Sequence, residues 1–471
     1  MARTTKYLKF RGRLVIVGFG SIGQGVLPLI LRHIDMKANQ VTIVTAEDRG
    51  QKEAKDLGVR FLVEPLTREN YANVLEPLLG PGDFLLNVSV EVSSLALIEL
   101  CGTKGALYLD TCLEPWPGGY TDPDLSPSLR SNYALRENGL ALRAKRPGGP
   151  TAVVTHGANP GLVSHFIKVA LLDLAEESGH DAAPKTREDW AALAAALGVK
   201  VIHIAERDTQ IARIAKQPGE FVNTWSIDGF VAEGMQPAEL GWGTHERHFP
   251  PDGGRHEFGS GCAIYLNRPG AATRVRSWTP LEGPYHGFLI THAEAISVAD
   301  YFTHREGDAV RYRPTVHYAY HPCDDAVLSM HEIWGKNFRL QESKRLMMDE
   351  IEHGIDELGI LLMGHAKGAY WYGSRLSVEE ARRLVRFNNA TSLQVTAAAL
   401  AGMIWALENP QRGIVEPDEI DHERILDICR PYLGKVVGEY SDWNPLFDRE
   451  RLFPEDLDKG DPWQFKNFRV V

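Results

Sequence analysis

What this 471-residue chain lacks narrows its function before any motif is read. Its five cysteines, at 101, 112, 262, 323 and 429, include no Cys-x-x-Cys pair, so neither a disulfide framework nor a cysteine-built zinc site is expected, and each reads as a reduced, buried thiol. No apolar run reads as long enough to span a bilayer. The basic segment 1–13 has neither the apolar stretch nor the small-residue cleavage site of a secretion signal, which gives the expectation of a cytoplasmic protein. Gly-x-Ser-x-Gly, His-Glu-x-x-His and Walker patterns are absent, as are repeats and low-complexity tracts. Excess positive charge is missing too. With 51 Lys and Arg against 62 Asp and Glu the formal charge is −11, which speaks against nucleic acid or an acidic membrane as partner and suits a cationic small molecule.

What is present is an ordinary globular composition, 44% apolar and 24% charged, on a chain too long for one core, so two domains are expected. The apolar run Leu14 to Val17 leads into Gly18-Phe19-Gly20-Ser21-Ile22-Gly23 and then a helical pattern. That spacing allows a tight turn, close approach of backbone to a pyrophosphate, and close packing of the next helix, whose N-terminus faces the phosphates. Strands are expected at Leu14–Val17, Val41–Thr45, Val59–Val63, Phe84–Val90, Ala106–Thr111 and Ala152–Thr155, alternating with helices as in a six-stranded, doubly wound parallel sheet of Rossmann type. Pro28 should bend the first helix.

Ligands in such sheets lie beyond the carboxyl ends of the strands. The cofactor set expected there is Gly18, Gly20, Ser21, Ile22 and Gly23 with Asn87, Ser89, Asp110, Thr111, Ala158 and Asn159. The cofactor expected is NAD: past the second strand, Glu47 and Asp48 outweigh Arg49, although Thr45 stands where an acidic residue normally meets the adenosine ribose.

From about residue 160 the order of elements changes to that of an α+β domain for substrate and dimerisation, so the chain divides at 1–157 and 158–471, with 388–410 packing back on the first part. Strands are expected at Lys200–Ala205, Phe221–Ile227, Cys262–Leu266, Val275–Trp278, Phe288–Thr291, Thr315–Tyr320 and Ala369–Tyr372. A surface loop is expected over 180–190, a helix capped by Asn389 running to about Leu407, and a surface wrap after Tyr440. Glu206, Glu233, Glu294 and Asp356 stand at expected strand ends or in polar breaks; with Glu91 and Glu114 they could ring one cleft, or simply be solvated carboxylates. Trp225 reads as a strand residue, packed or offering a π face to a cation. His292 and Glu294, two apart at a strand end, are placed for proton transfer. His245, His248 and His256 lack a completing ligand pattern, so no metal is expected.

Gly-Phe-Gly-Ser-Ile-Gly, Asn-Val-Ser-Val-Glu-Val-Ser-Ser, Leu-Asp-Thr-Cys-Leu-Glu-Pro-Trp, Thr-His-Gly-Ala-Asn-Pro-Gly, Asn-Thr-Trp-Ser-Ile-Asp-Gly and Thr-His-Ala-Glu-Ala occur in this order. Over nearly its whole length the chain closely resembles the bacterial homospermidine synthases, within the wider saccharopine dehydrogenase-like group. The resemblance implies a homodimer with tightly held NAD. It also implies a reaction without net redox change, in which putrescine is oxidised to an imine, loses ammonia, condenses with a second putrescine and is reduced again; spermidine can replace the donor.

The residues suit that chemistry. A diamine needs carboxylate or aromatic partners for its distal ammonium, and its reacting amine must be deprotonated. Glu206, Glu233, Asp356 and Glu91 are the substrate-binding candidates, Trp225 would stabilise a cationic imine, Glu114, His292 and Glu294 would handle protons, and Asn159 would position the reacting carbon. The alternatives are a saccharopine or carboxynorspermidine dehydrogenase type of net oxidoreductase, which would hold substrate carboxylates with basic residues, and a non-catalytic NAD-binding sensor.

Overall fold

The computed structural model describes residues 5–470; residues 1–4 of the basic N-terminal segment and Val471 lie outside the described residues. Seven parallel strands form the first sheet, in the order Ile414–Val415, Ala152–Val153, Leu107–Asp110, Phe84–Asn87, Leu14–Val17, Val41–Thr45, Arg60–Val63. The six expected strands are present, several shorter at their carboxyl ends, and a seventh arrives from residues 414–415. The ends have local causes. Asn87 Oδ1 accepts hydrogen bonds from the Ser89 amide and hydroxyl, turning the chain there, and Thr155 leaves its strand line with φ +54°. The helix Ser21–His33 runs through Pro28, so the proline does not end it.

The second sheet has eleven strands. Its spine runs Gly253–Arg255, Ala263–Pro269, Pro237–Gly241, Thr315–His321, Val201–Asp208, Ile355–Met363, Ala369–Ser377, Lys435–Ser441. Only the central pair, Thr315–His321 with Val201–Asp208, is parallel along this spine. Arg274–Thr279, Gly283–Phe288 and Arg469–Val470 complete it at one side.

Between the sheets lie the helices Leu162–Glu177 and Ala390–Glu408, the first packed on Ile355–Met363 and the second on both Ser21–His33 and Leu107–Asp110. A continuous apolar core runs from Leu14, Ile16 and Leu27 through Phe166, Leu400 and Ile404 to Ile204, Ile360 and Leu362. Each such side chain contributes about 1.5–3 kcal/mol on burial, which joins the two sheets energetically. Ala390–Glu408 corrects the expectation of no long apolar run, since its 19 residues have the length and composition to cross a membrane. They are instead buried in this core, so the apolarity is accounted for by packing. Asn389 and Ser392 cap its start reciprocally.

Other expectations need correction. The loop at 180–190 ends at Thr186, because Thr186 and Asp189 form a capping box that starts the helix Arg187–Ala196. Of Phe221–Ile227 only the first three residues are strand, within Glu220–Asn223, and the strand expected at Phe288–Thr291 lies earlier, at Gly283–Phe288. The tail after Tyr440 is not only a wrap: Phe465 and Phe468 are buried against His317 and His203, beneath the central strands.

Candidate active site

At the start of the chain, backbone geometry builds a cradle. Leu14–Val17 is wholly buried, and Gly18 follows with φ +88°, where a Cβ would stand 2.8 Å from the Ser89 backbone. A Cβ on Gly23 would stand 2.7 Å from the Gly18 carbonyl oxygen, so the helix packs against the turn as closely as backbone permits. Gly20 differs: a Cβ there would meet nothing within 4 Å. It is the N-cap of Ser21–His33, with no side-chain cap and no acidic residue in the first turn, so free N–H groups and the positive end of the helix dipole face open space. That is the donor set a pyrophosphate requires.

The other cofactor candidates gather at the same sheet edge in different roles. Ser89, Thr111, Ile22 and Asn159 are half-buried at its mouth, and Ser21 and Ala158 lie beneath. Asn87 and Asp110 point inward. Asn87 Nδ2 donates to the Tyr108 hydroxyl at 3.2 Å, which donates to Asp110 Oδ2 at 2.7 Å, and the Thr155 amide donates to Oδ1 at 2.6 Å. Burial raises the Asp110 carboxyl to about 7, and its oxygens tie strand ends together. Glu47 and Asp48 are exposed past Val41–Thr45, with Arg49 3.8 Å from Glu47.

Facing this edge, the second sheet presents carboxyl groups on one side of its central strands. Strand register pairs Asp356 with Asp208, Leu358 with Glu206 and Tyr320 with Glu206, and the two-residue alternation puts Glu206, Asp208, Asp356, Tyr318 and Tyr320 on the same face. Glu206 Oε2 accepts from Asn159 Nδ2 at 2.7 Å and from the Tyr318 hydroxyl. Burial, opposed by these two donors, leaves it at about 7. Asp208 accepts from the Thr224 hydroxyl at 2.7 Å and the Gln210 amide at 2.8 Å. Asp356 is 1% exposed and both its oxygens lack a hydrogen-bond partner; Thr391 and Glu206 lie near it but out of hydrogen-bonding geometry. Burial first, then Glu206 and Asp208, push its carboxyl well above the usual range. Solvated surface carboxylates these are not.

Trp225 is not a strand residue. It sits in the turn between Glu220–Asn223 and the helix Ile227–Met235, whose N-cap is Ser226. Half-buried, it donates from Nε1 to the Tyr320 hydroxyl at 2.9 Å. Asp208, through Thr224, and Asn389 Nδ2, through the Thr224 carbonyl at 2.6 Å, hold that turn.

The proton-handling candidates form a second group. Glu233 lies on the helix Ile227–Met235 rather than in a break, and His292 and Glu294 sit at the start of the helix Ala293–Tyr301 rather than at a strand end. His292 Nε2 is 3.0 Å from Glu233 and Nδ1 is 3.1 Å from Glu294. Burial would lower the imidazole, but the two carboxylates outweigh it and hold His292 well above its ordinary value, as imidazolium. Glu294 Oε2 is buried without a partner. Glu114, neighbouring Glu233, is raised to about 8, chiefly by burial. It accepts from the Glu91 amide at 3.2 Å, whereas the Glu91 side chain is exposed, at a φ of +61°. The His292 and Tyr318 rings, 4.3 Å apart, connect the two groups.

Asp208, Tyr318 and Tyr320 escaped sequence reasoning. The alternation Glu206-Arg207-Asp208 and Tyr318-Ala319-Tyr320 at strand ends was the available signal. His245, His248 and His256 are separately engaged, by the Trp463 carbonyl, Asp458 and Ser128.

A dinucleotide cradle opposed by a buried acidic face defines a class of two-domain, nucleotide-dependent enzyme. The saccharopine dehydrogenase NADP binding domain matches residues 14–153, and the saccharopine dehydrogenase C-terminal domain matches residues 157–441. Homospermidine synthase from Blastochloris viridis is 56% identical over 98% of both chains, and that from Mesorhizobium japonicum is 51% identical over 98% of this chain and 97% of the relative. The crystal structure of homospermidine synthase from Legionella pneumophila in complex with NAD superposes with a TM-score of 0.92, at 52% identity and 98% coverage of each chain. This chain belongs to the homospermidine synthase family. The apo saccharopine dehydrogenase of Saccharomyces cerevisiae, TM-score 0.52 at 10% identity over 91% of this chain and all of that one, shares the fold.

Proposed function

We propose that this protein is a homospermidine synthase: it transfers an aminobutyl group from putrescine, or spermidine, to putrescine, with NAD as resident cofactor. The observation that carries the reading is the sign of the site. Among the described residues no Lys or Arg forms an ion pair with Glu114, Glu206, Glu233, Glu294 or Asp356, and Asp356 is buried with both oxygens unpartnered. Such a set calls for a cationic ligand; a dehydrogenase acting on an amino-acid carboxylate would need basic side chains instead.

NAD, when bound, takes a hydride from the amine-bearing carbon and returns it to the later imine, so nothing is oxidised overall. The chain's own residues do the rest. Gly18 to Gly23 and the start of the helix Ser21–His33 would hold the pyrophosphate, with Ser89, Thr111 and Ala158 along the strand ends. Glu206 and Asp356 would receive an ammonium group, and Glu233 another. Asn159, fixed by Glu206, would align the reacting carbon. Trp225, anchored on Tyr320, would offer its ring to the cationic imine. In its ionised form Glu114 would take the proton from the reacting amine, and the His292 imidazolium beside Glu294 would return a proton to the departing ammonia. We assign cofactor binding to 1–157 and substrate binding to 158–471, with 388–410 returning to the first part. The reading carries with it a homodimer, a cytoplasmic setting, and no nucleic-acid or membrane partner.

Incubation with catalytic NAD and putrescine alone tests this. Homospermidine and ammonia should accumulate in large molar excess over NAD; stoichiometric accumulation of reduced cofactor without the triamine would refute it.

A further inference from the structure

Tyr318 has no part in the roles assigned above, yet it touches four residues of the site. Its hydroxyl donates to Glu206 Oε2 and accepts from Asn159 Nδ2 at 2.7 Å, while Asn159 reaches the same carboxylate oxygen at 2.7 Å. One face of its ring stacks on Tyr320, with centroids 5.1 Å apart and planes 8° from parallel. The His292 ring lies 4.3 Å away. Tyr318 is 2% exposed, so bulk water does not compete for these contacts.

We propose that Tyr318 is a positioning residue for the reaction, whose hydroxyl sets Glu206 and Asn159 together against the reacting carbon and whose ring supports the charged His292. The proposal rests on the diamine reading above.

The physical reason lies in what surrounds Glu206. From its own strand it faces Asp208, with Arg207 beyond on the opposite face; from Ile355–Met363 it faces Asp356. Thr315–His321 brings the phenols of Tyr318 and Tyr320, Gly283–Phe288 brings that of Tyr285, and the start of Ala293–Tyr301 brings His292. Burial, and after it Asp208, drive Glu206 towards its protonated form; Tyr318, Asn159 and His292 oppose them. Burial and the adjacent Glu206 hold the Tyr318 phenol well above its ordinary range, so it remains a neutral donor. Removing its oxygen alone removes one of three supports of the carboxylate, and a hydrogen bond to an ionised group is among the stronger ones.

The test is Tyr318→Phe in the NAD-loaded enzyme, with kcat/KM for putrescine followed against pH. We expect a loss of about ten- to hundredfold and an acid limb displaced to higher pH, with NAD affinity unchanged. Tyr318→Leu, which removes the ring too, should lose more and move the limb that reports His292 to lower pH. Wild-type pH limbs in Tyr318→Phe, whether activity is retained or uniformly reduced, overturn the proposal. Should Tyr318→Phe fold poorly, fluorotyrosine at position 318 keeps ring and hydroxyl with a stronger donor; an acid limb moved to lower pH supports the assignment, and an unmoved one overturns it. Product analysis of the wild-type enzyme, made first, tests the diamine reading separately.

Discussion

Gly20→Val separates what the fold needs from what the cofactor needs. Gly18 and Gly23 have backbone where a side chain would go, but a Cβ on Gly20 meets open space, at φ −74° and ψ −151° that any residue adopts. Replacing glycine there lowers the entropy of the unfolded chain by about 0.4–1 kcal/mol, while valine is a poorer N-cap by a comparable amount. The two offset to within about 1 kcal/mol, so the ligand-free variant should melt close to wild type. The cofactor is affected differently. A side chain in that space blocks approach to the helix N–H groups, and losing two hydrogen bonds to a charged phosphate, about 1.5–3 kcal/mol each, weakens binding at least about a hundredfold. NAD at about 100 times the wild-type Kd stabilises the wild-type protein by about 2.7 kcal/mol; at the same concentration the variant should gain only about 0.4 kcal/mol. Calorimetric titration and melting with and without NAD read both quantities. A folded Gly20→Val protein that binds NAD with wild-type affinity refutes the cradle, and a variant unstable without NAD refutes the claim that Gly20 is a cofactor rather than a folding requirement.

Glu206→Gln and Glu233→Gln should each weaken putrescine use, mostly through KM, and leave NAD titration unchanged; unaltered turnover in both would detach these residues from the diamine. Trp225→Phe should retain part of the activity and Trp225→Ala lose most of it, since a cation over an aromatic face is worth about 0.5–2 kcal/mol; equal turnover with native melting in both would reduce Trp225 to packing. Stability should depend on pH with a definite sign. Glu114, at about 8, and Asp110 and Glu206, at about 7, lie above their unfolded values near 4, so their contribution is full below about pH 4, falls progressively as pH rises from there, and is gone once pH has passed the folded values of about 7 to 8. Buried histidines such as His156, held at about 4 by burial, contribute above pH 6.5 and change little beyond it. Between pH 6.5 and 8.5 the ligand-free protein should therefore lose melting temperature, less so in Glu114→Gln. A flat profile, or the same slope in that variant, counts against the buried carboxyls as its source.

The glycine cradle, the strands of the first sheet and the capped helix Ala390–Glu408 were legible residue by residue, because each depends on local geometry: a turn, an alternation, a cap within three positions. The family resemblance was legible for the same reason, being carried by contiguous motifs. What the sequence left open was pairing between distant segments. Asp356 became a binding candidate only as an acid in a polar break, whereas it opens the unforeseen central strand Ile355–Met363 and lies opposite Asp208. Trp225 reads as a strand residue by its neighbours' propensity, yet Ser226 starts a helix and puts it in a turn. Ile414–Val415 joins the first sheet from the far end of the chain. A two-residue strand has no local signature. Register and burial are decided by the whole core at once, and they turn six scattered carboxylates into five that converge and one, Glu91, that contributes its backbone while its side chain stays in water.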